Sequence, residues 1–194
     1  AGFGDMLAVN AFAVLGQDLI VSKIGKREKM MYRVNVSAAD ETTWYCQELS
    51  ASNAAQNAQS MISAYNNIFF VDNNGFKSVK GTDTYGDLAI DSIGRKINTL
   101  FTPGYTCNCL TYLPTYNAIW FNTGDRIFSY TERHDPQSGS NLPAFTDLSF
   151  MWGRPTSFYQ AGDDVYITGF NGYLYKLDDT LDTDEVTPAV TQSY

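Results

Sequence analysis

The stretch YNNIFFVDNNGFKSV, residues 65–79, reads as a β-hairpin. An apolar run from Ile68 to Val71 leads into Asp-Asn-Asn-Gly, and an alternating run follows. Asn and Gly tolerate the positive φ angles of a tight turn, so nothing beyond the backbone is needed to explain them there. The chain writes the same unit in other letters as YNAIWFNTGDRIFSY at 116–130 and GDDVYITGFNGYLYKL at 162–177. Another copy stands near the start, in GQDLIVSK at 16–23.

Counting fixes the period. The first apolar residues of the central runs are Leu19, Ile68, Ile119 and Val165, spaced 49, 51 and 46 residues apart (19 to 68, 68 to 119, 119 to 165). Each central run is preceded by a short apolar or alternating run: AFAVL at 11, SMISAY at 60, CLTYL at 109 and TSFYQ at 156. Each is followed by another: KMMYRVNV at 29, GFKSVKG at 75, DRIFSYTE at 125 and GYLYKLDD at 172. Every unit thus reads strand, turn, strand, turn, strand, with β-branched and aromatic residues in the runs. A fourth strand is expected in the first unit, in TTWYCQEL at 42–49, and in the third, in TDLSFMW at 146–152.

Antiparallel units of three or four strands, repeating every ~40 to 50 residues, are the mark of a β-propeller blade. The predicted fold is therefore all-β, a partial β-propeller of about four blade-like units with one short inserted helix. The units run over 7–50, 58–101, 107–152 and 154–179, in a single propeller-type domain or segment, and 180–194 forms an acidic, Thr-rich tail or linker. Repetition has a physical purpose here, because one blade leaves a face exposed that the next copy buries. The central strands, Ile68 to Val71 and Ile119 to Phe121, are apolar on both pleat faces, as a strand between two neighbours should be. Phe69, Trp120 and Tyr166 take equivalent positions and read as inter-blade packing; the alternative is a stacking platform for a sugar or a base.

One segment departs from the pattern. Within TDTYGDLAIDSIGRKINTLFTPGYTC, Ile90, Ile93, Ile97 and Leu100 recur at helical spacing behind Asp87, a candidate N-cap. This predicts an amphipathic helix over 87–100, with Ile90, Ile93 and Ile97 buried and Asp91, Arg95 and Lys96 turned to solvent or a partner. It would either cover the outer edge of the second blade or dock on a neighbouring subunit.

The charge balance is acidic, with 13 Lys and Arg against 21 Asp and Glu and a formal net charge of −8. Only KIGKREK at 23–29 clusters basic residues, so no phosphate-tracking surface is advertised. No apolar run approaches the ~20 residues that cross a bilayer, and no secretory leader is evident, so membrane insertion is not expected. Three cysteines, Cys46, Cys107 and Cys109, make no disulfide framework and read as reduced thiols of a protein made in a cytosol. The lone histidine, His134, stands in a polar loop and completes no zinc set, and no metal or cofactor is expected. The turns VDNNG and TGFNG fall short of a calcium loop. The paired acids Asp163-Asp164 and Asp178-Asp179 sit at turns and strand ends, where solvated carboxylates are common, and His134 has no nucleophile elbow to serve. No catalytic residue is assigned and the chain is not expected to be an enzyme. It begins with Ala rather than Met, which reads as a piece of something longer or as a processed start.

The order of NNGFKSV at 73–79, YGD at 85–87, IDSIGRKINTL at 90–100, YNAIWFNTGDRIFSYTER at 116–133 and FTDLSFMW at 145–152 carries a resemblance. Over about residues 60–178 it resembles the propeller region of the nozzle (tail tube B) proteins of short-tailed phages and the related packaged-DNA stabilisation proteins. In those families a hairpin, a Gly-Asp and a short helix of the form D-x-S-x-x-I precede a blade with an aromatic hairpin. The resemblance implies a virion tail component made in the host cytoplasm. It would be a ring-forming subunit below the portal, partnered by itself, by adaptor and by fibres, with genomic DNA passing through transiently. The alternative expectation is a propeller-type module that binds a carbohydrate or a protein without catalysis.

Overall fold

A computed structural model describes residues 7–25, 28–36, 41–81, 88–101, 104–123, 126–134, 141–148 and 155–177. The chain is an all-β, propeller-like protein of four antiparallel sheets, each formed by strands consecutive in sequence. The first sheet contains β1 (Ala8–Leu15), β2 (Asp18–Ile24), β3 (Lys29–Asn35) and β4 (Tyr45–Ser50), in that spatial order. The second contains β5 (Met61–Ala64), β6 (Asn67–Asp72), β7 (Gly75–Gly81) and β8 (Leu88–Asp91). The third contains β9 (Leu110–Leu113), β10 (Ala118–Thr123), β11 (Arg126–His134) and β12 (Asn141–Leu148). The fourth has three strands, β13 (Pro155–Ala161), β14 (Asp164–Gly169) and β15 (Leu174–Lys176). Two compact units result, 1–100 with the first two sheets and 101–194 with the other two.

The hairpin at 65–79 forms through its turns. Tyr65 and Asn66 both have positive φ, 50° and 56°, which gives the two-residue connection whose twist matches the flanking strands. At the other end Asp72 accepts a hydrogen bond from the Asn74 amide at 2.6 Å, closing the turn before Gly75 at φ 125°. The side chain of Asn98 lies where a Cβ on Gly75 would stand, so the position is closed to larger residues on two counts.

Alternation along the central strands divides each core. In the first unit Ala11, Ala13, Ile20 and Met31 of one sheet pack against Met61, Ile68, Phe70 and Val79 of the next. In the second unit Leu113, Ala118, Trp120 and Ile127 pack against Phe158, Val165 and Ile167. Period-2 alternation puts Phe69 on the opposite face of β6, where it stacks on Phe76 at 5.8 Å and meets Tyr65 edge-on. In the second unit Phe121 and Phe128 likewise turn the other way, against Phe101.

The helix expected over 87–100 is not there. Leu88–Asp91 is extended and pairs with β7, Gly81 opposite Leu88 and Val79 opposite Ile90. Turns follow, and a short 3₁₀ turn at Asn98–Leu100 is the remaining helical element of the segment. Four residues at helical spacing are outweighed by the open edge of β7, whose backbone groups gain a ladder from β8. Gly94 then brings the chain down onto the hairpin, its amide donating to the Phe76 carbonyl at 2.9 Å. Of the expected apolar stripe Ile97 is buried, Ile90 packs on the first core, and Leu100 is exposed. Arg95 and Lys96 are exposed, while Asp91 lies 3.4 Å from Lys80. The proposed cap Asp87 lies outside the described residues. The part of the phage resemblance that required a helix at IDSIGRKINTL falls with it.

The fourth strand of the first sheet forms at Tyr45–Ser50, overlapping the predicted TTWYCQEL stretch and running one residue past it. In the third sheet the fourth strand is Asn141–Leu148, earlier than TDLSFMW suggested, because it pairs along β11 from Ile127 to His134. Residues 149–154 and the tail 180–194 lie outside the described residues.

Candidate assembly surfaces

Chemistry-bearing side chains are dispersed. Asp163 is exposed at the β13–β14 turn, and its neighbour Asp164 is held by Lys176 at 2.9 Å; Asp178 and Asp179 lie outside the described residues. His134 ends β11 opposite Asn141. Among the described residues no three His, Cys, Asp or Glu gather where a metal ion could sit, and no helix is long and apolar enough to cross a membrane. All three cysteines are free thiols. Burial pushes Cys107, Cys109 and, less deeply placed, Cys46 upward from the ordinary thiol range. Asp72 is fully buried with Lys77 at 2.7 Å, and Lys77 also donates to Asn53, a network that ties the segment before β5 to the hairpin.

Two buried polar residues that the sequence does not advertise join consecutive sheets. In the first unit Ser22 Oγ accepts the Ala55 amide at 2.9 Å and donates to Asn10, whose own amide donates to the Ala55 carbonyl. In the second unit Asn122 Oδ1 accepts the amides of Asn108 and Cys109, and its Nδ2 donates to the Pro155 carbonyl at 3.2 Å. Ser22 and Asn122 occupy the same repeat position, three residues after Leu19 and Ile119. Each reaches a backbone group 33 residues further on, at the lead-in to the following sheet. Burial makes these bonds matter, since an unmade one leaves a backbone group without water or partner.

The repeat also identifies which faces are covered. Phe12 pairs with Val21, Met61 with Phe70, Leu110 with Phe121 and Phe158 with Ile167, so these four hold one equivalent position on the first strand of each sheet. Met61 is 7%, Leu110 6% and Phe158 6% exposed, whereas Phe12 is 68% exposed. Val9 and Val14 are exposed beside it on the same face of the first sheet. The fourth sheet shows the converse. Tyr166 stands where Ile20 and Trp120 are buried, yet it is half-buried, and Tyr159 opposite it is 66% exposed. Tyr159 and Tyr166 share that face with Ser157 and Thr168, whose hydroxyls lie 2.6 Å apart.

The basic cluster at 23–29 is divided. Lys23 is buried, its ammonium 5.6 Å from the centre of the Tyr32 ring, and Lys29 opens β3; Lys26 and Arg27 lie outside the described residues.

A scan against family models and a search of curated proteins return no match. One solved structure similar to the chain is that of a protein from Lactobacillus plantarum, with a TM-score of 0.52 at 12% sequence identity over 92% of this chain and 57% of that one. The chain thus spans just over half the length of that protein. At that identity the likeness supports the all-β, propeller-like fold alone.

Proposed function

We infer that the chain is a non-enzymatic structural segment that assembles with copies of itself into a ring, as a nozzle-type component of a short-tailed phage tail. The observation that carries the assembly reading is the pair of exposed sheet faces, Phe12 with Val14 on the first sheet and Tyr159 with Tyr166 on the fourth. Equivalent faces elsewhere in the chain are buried. Large exposed apolar patches mark surfaces that meet another protein. Support for the phage reading comes from the order and spacing of the hairpins, with the helical unit removed. In that role the protein would sit in the virion tail with adaptor and fibre proteins, and DNA would pass its inner surface without being gripped.

A propeller-type binding module is the second reading. Tyr159 and Tyr166 lie side by side next to the hydroxyls of Ser157 and Thr168, a face on which a sugar ring could stack and hydrogen-bond. Size-exclusion chromatography with multi-angle scattering, followed by negative-stain imaging, separates the two. A high-order ring with a lumen wide enough to pass a duplex is expected. A monomer at every concentration tested would remove the ring and leave the binding module.

A further inference from the structure

We propose that Lys77 and Asn53 join in an intramolecular amide, a covalent bond between the two side chains, with Asp72 as the proton acceptor that makes it possible. This goes beyond the assembly reading and stands without it. Lys77 lies on β7 opposite Phe70, on the face of the second sheet that packs against the first, and both Lys77 and Asp72 are buried. A lysine ammonium is rarely placed so deep. Its Nζ meets Asn53 Oδ1 at 2.5 Å and Asp72 Oδ2 at 2.7 Å. Asp72 is held in position, because its other oxygen accepts the Asn74 amide. Asn53 is oriented as well: its Nδ2 donates to Ser50 Oγ at 2.8 Å, which turns its carbonyl oxygen to the amine. An amine, a carboxamide and a carboxylate are thus in mutual contact inside the fold. Such placement replaces the chance encounter that makes the same reaction slow between free side chains.

The step is an acyl transfer within one molecule. Asp72 takes a proton from the ammonium, and the neutral amine attacks Cγ of Asn53, one bond beyond the oxygen it touches. The Nζ–Cγ bond forms and the Cγ–Nδ2 bond breaks. A second proton passes from the attacking nitrogen to the departing one, which leaves as ammonia, while the first stays on Asp72 as a neutral acid. Nothing is oxidised or reduced, and no group from outside the chain is consumed. Asn53 is half-buried, so the ammonia has a way out to water. Burial favours the product, because a buried ion pair gives way to an amide and an uncharged acid. The two residues are 24 apart in sequence, and the bond would tie the segment after β4 to the hairpin of the second sheet. Like any cross-link, it restricts the unfolded chain more than the folded one.

Mass spectrometry tests this on the parent protein itself. After prolonged incubation of the folded chain, its intact mass should fall short of the sequence mass by one ammonia. Denaturation and cleavage before aspartate then cut between the two residues at Asp72, yet the peptides carrying Asn53 and Lys77 should stay joined. Lys77→Arg keeps a cation opposite Asp72 and removes the amine nucleophile, so this variant should show its full sequence mass. Asp72→Asn, folded as judged by circular dichroism, should do the same. A parent protein of full sequence mass whose two peptides separate overturns the proposal. So does a loss of ammonia with the peptides separate, as cyclisation at Asn74-Gly75 would give, or a loss that persists in Lys77→Arg. Joined peptides in Asp72→Asn would overturn the part given to Asp72.

Discussion

Trp120 is stacked on Tyr116 at 5.7 Å and meets Phe158 edge-on at the same distance, with 6% of its surface exposed. Trp120→Ala should cost about 3–5 kcal/mol, the range for a buried large aromatic, as read from chemical denaturation. A loss under about 1 kcal/mol would mean that the ring is not holding the two sheets together. Asn122→Ala should cost about 1–3 kcal/mol, because it orphans the Asn108 and Cys109 amides and the Pro155 carbonyl. Unfolding midpoints unchanged within error would show that those groups find other partners. The burial of Trp120 was legible in the sequence, since period-2 alternation and the repeat spacing together place it on an inner face. The part played by Asn122 was not. Its equivalent is Ser22, a different letter, and both act on backbone 33 residues away, which no local pattern encodes.

Strand β8 shows where local periodicity loses to a neighbouring edge. Ile90, Ile93 and Ile97 have helical spacing, yet β7 would be left with a row of unpaired amides and carbonyls if Leu88–Asp91 coiled away from it. Gly94 makes the two alternatives separable by sign. In a helix, Gly94→Ala would stabilise by about 1 kcal/mol, because alanine is the better helix former. In the structure a Cβ at Gly94 would stand 2.9 Å from the Phe76 Cβ and 3.1 Å from its carbonyl oxygen, so the turn would have to lift off the hairpin. Gly94→Ala should therefore destabilise, by about 1–3 kcal/mol. A rise in melting temperature for this variant would restore the helix. The four hairpins themselves were legible because turn residues, alternation and spacing agree on them. At β8 they conflict, and a contact with another strand decides.

The sheets bury their apolar runs in pairs, the first against the second and the third against the fourth, and the chain as a whole carries a formal net charge of −8. The same charge suits a conduit past which DNA slides, because each neutralised phosphate deepens binding and its salt dependence. KIGKREK is the place that could contradict this, with four basic residues in seven positions. Its strength is reduced by the fold. Lys23 is buried against Tyr32, so releasing it to a phosphate would break packing in the first sheet. Duplex DNA should therefore bind no tighter than the non-specific range of about 10⁻⁴ to 10⁻⁶ M at physiological salt. Fluorescence anisotropy with a labelled duplex measures this directly. A sub-micromolar constant that is lost when Lys26, Arg27 and Lys29 are changed to Ser would make this turn a DNA clamp. Sub-micromolar binding that survives those changes would place the contact elsewhere and would equally end the passive-conduit reading, because a surface that grips phosphate cannot let the genome pass freely.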